Sequence, residues 1–468
     1  MVAESFVPHV SGVTTSVLRS AEQLRALGHE VIFLAPAPGR TAQPPEPSSV
    51  PSAAQDSAAQ GLASSSAPDD DVGSPGVSGV SEVSGPGALG SSTAAASAAV
   101  TREALPPSRA PLPLLPGQTA ELVNGFPTLR VPSMPLAGYP GIRFSAGSVS
   151  AIRRIIRILA PEVVHAASPL MLGARAVTAC RMLGVPSVAV YQTDIAAYAL
   201  RYGLPWLSRT ADQKIAKIHR EATMTLAPSK ASAAYLESLE VPRVFRWGRG
   251  VDATLFAPSR STLAARERMG AGPGELLVGF VGRLAPEKQV EDLRGLQQIP
   301  GVRLAVIGDG PSRSHLEQTL HRAQFTGALH GLELAEHLAS LDVFVHPGES
   351  ETFGQTLQEA QASGVATVAV ASGGALELVE DGVTGRRYSP GQLGQLRSII
   401  EELAEDAAGR RDLAASGYRA VQGRSWQAVS EQLEQHYHRA VQFHRADQLH
   451  RWRTSRRPAV PFLLRLSR

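Results

Sequence analysis

The hydrophobic pattern alternates between two periods along most of the chain. Short apolar runs read as buried strands: Val31–Ala35, Thr128–Val131, Val163–His165, Ser187–Tyr191, Thr223–Ala227 and Val244–Trp247 come first. Leu276–Gly282, Val302–Ile307, Gln324–Thr326, Leu341–His346 and Thr367–Ala371 come later. Between the runs, apolar residues recur at helical spacing. Val13, Val17, Leu18, Ala21, Leu24 and Leu27 share one face, as do Val149, Ile152, Ile155, Ile156 and Leu159. Gly28 and Gly184 stand where helix C-caps are expected. Alternating strand and helix predicts α/β architecture with parallel sheets. The chain divides into an N-terminal half (1–36 and 121–250) and a C-terminal half (251–424). A helix at 425–445 is long enough to cross back, and a basic tail follows at 446–468.

Two features break the pattern. Residues 37–120 are rich in Ala, Ser, Pro and Gly, and no aromatic occurs between Phe33 and Phe126. Such a segment buries too little apolar surface to offset its ordering entropy, so a disordered insertion is expected. The first strand is nearly absent, because only Met1-Val2-Ala3 precede the loop Glu4–Gly12. A central strand that lost several Val- or Ile-sized side chains would forfeit much of a domain's net stability, roughly 5–15 kcal/mol. The true start is therefore expected upstream of Met1.

Composition narrows the setting. The 468 residues suffice for two or three domains. No apolar run approaches the roughly 20 residues of a membrane span. The N-terminus lacks the basic-then-apolar pattern of a secretory leader, and the single Cys180 suits a reducing compartment, so a cytoplasmic location is expected. A net charge of +3 does not suggest nucleic-acid binding. The tail carries several Arg beside Pro461-Phe462-Leu463-Leu464, which allows peripheral contact with a membrane or a frayed basic end. Lysine is rare, with Lys214, Lys217, Lys230 and Lys288 its only occurrences, so Lys288 beside a strand end stands out.

Candidate chemistry gathers after the later strands. Glu351 and Glu359 flank a helix start that the Thr352-x-x-Gln355 spacing places near Phe353. Ligands of open parallel sheets bind beyond the carboxyl ends of strands, often at helix N-termini. Carboxylates there suit sugar or ribose hydroxyls. Equally, Glu351 could only complement the helix dipole while Glu359 stays solvated. Gly282-Arg283-Leu284-Ala285-Pro286-Glu287-Lys288 follows a buried strand directly. Its two cations suit a diphosphate through charge-assisted hydrogen bonds, or form a surface cluster around Glu287. Gly308-Asp309-Gly310-Pro311 is a tight turn that lets backbone approach the site edge, and Gly373-Gly374 permits close approach after another strand.

Together these motifs resemble the retaining GT-B glycosyltransferases of family 4, over everything except the insertion and the tail. Tyr191-Gln192-Thr193-Asp194, Ala227-Pro228-Ser229, Arg246-Trp247-Gly248-Arg249-Gly250-Val251-Asp252 and Asp342–His346 are similar to actinobacterial GDP-mannose-dependent α-mannosyltransferases, which act on cell-envelope glycolipids. The resemblance implies two Rossmann-like, doubly wound domains facing a cleft. Arg283 and Lys288 would hold the donor diphosphate, Glu351 the donor sugar and Glu359 the ribose. Backbone around Phe353, Gly354, Gln355 and Thr356 would bind sugar or phosphate, with Gly308 at the edge. Gly12 would approach the diphosphate from the other half. Gln192, Asp194 and Arg249 fall on the acceptor or sugar side. No metal and no cofactor beyond the nucleotide sugar is implied. The partners expected are that donor, GDP-mannose, and a lipid-linked acceptor. A UDP-sugar-dependent transferase or epimerase, or a non-catalytic sugar-nucleotide-binding protein, would share much of this pattern. Relatives often carry His where Gln192 and Asp194 stand, and Gly-Gly where Ser11-Gly12 stand.

Overall fold

The computed structural model describes residues 1–7, 12–38, 102–103, 118–136, 139–145, 147–167, 169–193 and 205–455. Most of the low-complexity stretch, Asp194 and the tail beyond Ser455 lie outside the described residues.

The strands in chain order are β1 (Val2–Ala3), β2 (Phe33–Pro36), β3 (Arg102–Glu103), β4 (Thr119–Val123), β5 (Phe126–Val131), β6 (Ser133–Leu136), β7 (Tyr139–Ser145), β8 (Val164–Ala167), β9 (Ser187–Val190), β10 (Met224–Ala227) and β11 (Val244–Arg246). The C-terminal half adds β12 (Leu276–Val281), β13 (Val302–Ile307), β14 (Gln324–Gly327), β15 (Val343–His346), β16 (Ala366–Val370) and β17 (Arg386–Tyr388). One sheet runs β11-β10-β9-β8-β1-β2-β5-β4-β3, and a second runs β14-β13-β12-β15-β16-β17. Every pair of the second sheet is parallel. In the first sheet only β4 and β3 run antiparallel to their neighbours. A β6–β7 hairpin stands apart.

Both sheets are doubly wound, because each wraps outward in both directions from its first strand. The second sheet reverses between β12 and β15, the first between β1 and β8. Crevices open beyond the carboxyl ends of the strands at such reversals. The loops after β12 and β15 carry Arg283, Lys288 and Glu351. This is the GT-B arrangement that the sequence predicts.

The central place in the first sheet is held by only two residues, Val2 and Ala3, both buried between β2 and β8, in keeping with the nearly absent first strand read from the sequence. Two boundaries differ from the sequence reading. Strands β3 and the start of β4 fall within the range read as low-complexity; β3 extends the sheet edge by backbone pairing with β4. The last helix, Trp426–Ser455, runs well past 445. It returns to the N-terminal half, where Val429, Leu433, Tyr437 and Ala440 join the core of Phe6, Phe33 and Trp247. The Trp247 indole N–H donates to Val429 O at 2.9 Å, and Tyr437 Oη lies 2.8 Å from His165 Nδ1. Arg243 clasps Asp447 with two bonds further along the same helix.

The loop after β1 is pinned from two sides. Arg130, 1% exposed, donates to Val7 O and Pro36 O and to the Glu121 carboxylate. Glu4 Oε1 accepts from the amides of Leu170, Met171 and Gly173 at the start of helix Leu172–Leu183. A side chain thus fills the anion-attracting end of that helix.

In the second half, the loops after β12 and β13 touch backbone to backbone. A Cβ on Gly308 would lie 1.9 Å from the Gly282 carbonyl oxygen, and Gly308 has φ +148°. Gly308→Ala is expected to destabilise this half by about 3 kcal/mol or more, since neither backbone can yield. Gly295→Ala, with nothing within 4 Å of its added methyl, should change stability by less than about 0.5 kcal/mol. Denaturant midpoints of the two variants test this contrast; equal midpoints would refute the close-packed loop floor.

Candidate active site

The site grows from the loops that follow strand ends in both sheets. After β12, Gly282 turns the chain, and Arg283 extends partly into solvent. Its guanidinium pairs with Glu287, whose side chain is 1% exposed. Pro286 starts a single turn of 3-10 helix over Pro286–Lys288, where its missing N–H removes no bond. That turn brings Lys288 back towards the loop after β15. Lys288 Nζ lies 2.5 Å from Glu351 Oε2. Gln289, at the end of the turn in left-handed backbone, accepts from Glu349 N through its amide oxygen and donates back to the Glu349 carboxylate. The two loops are therefore stitched side by side.

The helix after β15 does not begin as the sequence suggests. It spans Gln355–Ala362, and its N-cap is Gly354 at φ +96°, with no side-chain cap bond. The Thr352/Gln355 capping box is not formed, because both side chains bond to the other half. Thr352 Oγ1 donates to Gln192 O at 3.1 Å, and Gln355 Nε2 donates to Gly250 O at 3.2 Å and Glu359 Oε1 at 3.1 Å. Phe353 is buried and packs into the core with Leu357 and Leu378. Thr356, in the first turn, stays half-buried.

Arg249 joins the halves. It is 7% exposed. Its Nη1 donates to Gly12 O at 3.3 Å and its Nη2 to Gln192 Oε1 at 3.0 Å. Gln358 Nε2 donates to Arg249 O at 3.0 Å. Thus Gly12, Gln192 and Arg249 meet one another, and Lys288 meets Glu351. Gln355 meets Glu359. Arg283 is turned to Glu287, and Gly308 packs beneath Gly282. Asp194 lies outside the described residues.

The two carboxylates sit in opposite electrostatic conditions. Burial alone would push Glu351 up, but Lys288, then His346 and Arg249, pull it down to about 2. Burial raises Glu359 to about 7; the Gln355 hydrogen bond and Arg249 oppose this, and Asp252 adds to it. Glu351 is therefore a fixed anion and Glu359 one that is readily neutral. Among the described residues, no cluster of three or more His, Cys, Asp or Glu could hold a metal ion.

Several contributors were not singled out from sequence. Glu287 holds Arg283, and the signal was available in its position four residues after the cation. Gln358 and Thr352 bond across the cleft, which no local pattern reveals. His346 ends β15 directly below the site, with Nε2 3.9 Å from Glu351 Oε2.

Two doubly wound sheets, with charged loops at the switch point of the second and a helix returning to the first, define a GT-B protein. Known proteins carry the assignment further. Residues 113–255 match the profile of glycosyltransferase family 4, and residues 263–420 that of glycosyl transferases group 1. The GDP-mannose-dependent alpha-mannosyltransferase of Mycobacterium tuberculosis is 37% identical over 438 residues, covering 93% of this chain and 95% of that relative. Its namesake from Corynebacterium glutamicum is 34% identical over 440 residues, covering 93% and 87%. Sucrose-phosphate synthase from Thermosynechococcus elongatus shares the fold, with TM-score 0.63 at 18% identity over 94% of this chain and 98% of that one. The chain belongs to this glycosyltransferase family and is a glycosyltransferase.

The raised Glu359 has a consequence for stability. Below the ordinary carboxyl value of 4.5 the group is protonated in both folded and unfolded states. As pH rises from there to about 7, the unfolded state loses its proton while the folded state keeps it, so the native protein loses stability. Glu359→Gln should therefore match the parent at low pH and be more stable above pH 7. Denaturant unfolding across that range checks the sign. A difference that shrinks with rising pH would contradict it.

Proposed function

We propose that this protein transfers mannose from GDP-mannose, with retention, onto a lipid-linked acceptor of the cell envelope. The observation that carries the reading is the Lys288–Glu351 pair at the switch point of the second sheet, with Glu359 one turn inside the helix that follows. Relatives covering nearly the whole chain are named for that donor.

In this reading Arg283 and Lys288 release their carboxylates and take the donor diphosphate. Glu351, held ionised, accepts hydroxyls of the transferred sugar. Glu359 accepts the ribose hydroxyls. The amides at the start of helix Gln355–Ala362 face the sugar or phosphate, as anions and polar groups favour a helix N-terminus. Gly12 and Gln192, held by Arg249, bring the first half to the same ligand. The sugar C1–O bond to phosphate breaks, and the pair of electrons leaves with the diphosphate, stabilised by the two cations. The acceptor oxygen attacks the same face, and its proton passes to a departing phosphate oxygen. Among the described residues no helix is long and apolar enough to cross a membrane. Leu449 and Trp452 are exposed near the end of the last helix, beside exposed Arg451 and Arg453. That combination supports peripheral contact with an anionic membrane surface, where a lipid acceptor resides.

The test is transfer by the purified full chain, with GDP-mannose, GDP-glucose, UDP-glucose and UDP-galactose as donors. Inositol-lipid and glycosyl-diacylglycerol acceptors are presented in anionic vesicles. GDP-mannose should be the preferred donor. Lys288→Ala and Glu351→Ala should each lower turnover by about 10²–10³-fold while leaving the folded circular dichroism intact. Preference for a UDP-sugar, or parent-like turnover in either variant, would reject the reading.

A further inference from the structure

The base of the pocket contains a side chain that the proposed chemistry does not use. His346 is 1% exposed, at the carboxyl end of β15. Neither ring nitrogen has a hydrogen-bond partner among the described residues. A buried imidazole with both nitrogens idle forfeits the hydrogen bonds that water would give it. Its ring stacks against Phe344, two residues back on the same face of the strand, at 6.4 Å between centroids. The Nε2 atom points at Glu351 Oε2 from 3.9 Å, while Lys288 Nζ holds that same oxygen from 2.5 Å. One carboxylate oxygen thus has one partner engaged and a second just out of reach.

We propose that His346 is a positioning residue that takes over Glu351 from Lys288 when the donor diphosphate draws Lys288 away. The inference rests on the reading that Lys288 meets the diphosphate and Glu351 the sugar. Lys288 and Glu351 are paired in this structure, so a phosphate that recruits Lys288 must leave Glu351 with another donor. His346 Nε2–H is that donor. A shift of about 1 Å closes the gap to hydrogen-bonding distance. The exchange keeps Glu351 ionised and aimed at the sugar throughout. It also gives the idle imidazole its missing partner only in the liganded state, which makes the bond favour binding. Burial holds the ring neutral, near 4, with Glu351 acting upwards and Lys288 downwards. The proton it donates is therefore carried by the neutral tautomer, and no net charge is added beside Lys288. Phe344, Lys288 and Glu351 are the groups that the structure places around it.

The experiment measures binding of GDP to the full-length protein by calorimetry, in the parent and in His346→Leu, His346→Phe and His346→Gln, each alone and combined with Lys288→Ala. The two apolar variants should bind GDP about tenfold more weakly, the worth of one hydrogen bond to a charged group. His346→Gln, whose amide N–H reaches much the same point, should recover most of that loss. In the Lys288→Ala background the apolar variants should show no further loss, because there is no lysine left to release; this coupling separates the exchange from a general loosening of the fold. His346→Phe serves if His346→Leu fails to fold, and thermal melting establishes which variants are intact. GDP binding at the parent's strength in the apolar variants would overturn the inference. So would a glutamine variant no better than leucine, or an equal loss with and without Lys288. If Lys288→Ala alone leaves GDP binding unchanged, the assignment of Lys288 to the diphosphate is wrong, and the inference falls with it.

Discussion

A single buried guanidinium connects the two halves to the chemistry between them. Arg249 is almost fully removed from water, and an unpaired charge there would be untenable, since the penalty is several kcal/mol even after relaxation. Its compensation comes from both sides. Gly12 O and the Gln192 amide oxygen belong to the first half, and the negative field of Glu351 to the second. The segment that carries Arg249 is also the crossing between halves. Two residues on, Val251 N donates to Arg424 O and Val251 bridges to Ser425, where the chain crosses back. The two crossings lie side by side, with the charge at the end nearest the site. Any change in how the halves meet must therefore move Arg249, and with it the potential felt by both carboxylates.

That potential explains how two similar side chains acquire different characters. Glu351 has Lys288 in contact and feels Arg249 as well, so its burial is more than repaid by cations. Glu359 has a neutral amide in contact and Asp252 in the background, so burial prevails. Eight residues of sequence separation place them on one helix start, yet what decides their protonation comes from the loop after β12 and from the crossing. Their difference suits different tasks. A permanent anion can hold sugar hydroxyls at any working pH, whereas a readily neutral carboxyl can meet ribose hydroxyls without adding charge beside a diphosphate.

The parts legible in the sequence were those where local pattern and global fold agree. Apolar runs ending in glycine or in a charged residue marked the strand ends, and these gave the parallel sheets, the two halves and Arg283, Lys288, Glu351 and Glu359. The helix start was misplaced because Thr352 and Gln355 have the spacing of a capping box but spend their hydrogen bonds on Gln192 and Gly250. Only the packed structure shows that competition, and Gly354 in left-handed backbone is its visible outcome. The short β1 was legible as such, but not its surroundings: Phe6, Val7 and Arg130 extend the anchoring beyond the strand through contacts distant in sequence. His346 was read merely as the last residue of a strand, because its idle nitrogens become evident only when their neighbours are known.

If Arg283 and Lys288 meet the donor diphosphate as proposed, their pairing with carboxylates has a selective effect. Arg283 rests on Glu287 and Lys288 on Glu351, so carboxylates occupy the places that phosphate oxygens would take. An anion entering alone must break these pairs and leave a partly buried carboxylate without its cation. A nucleotide sugar breaks the same pairs but brings hydroxyls that Glu351 can accept. Discrimination between the full donor and a simple phosphate then arises from the unfavourable term imposed on the wrong ligand as much as from contacts made to the right one. It requires that Glu351 remain charged and fixed at the moment of exchange. On the proposed reading, the charge of Arg249 and the His346 Nε2, 3.9 Å from the Glu351 carboxylate, would serve that requirement.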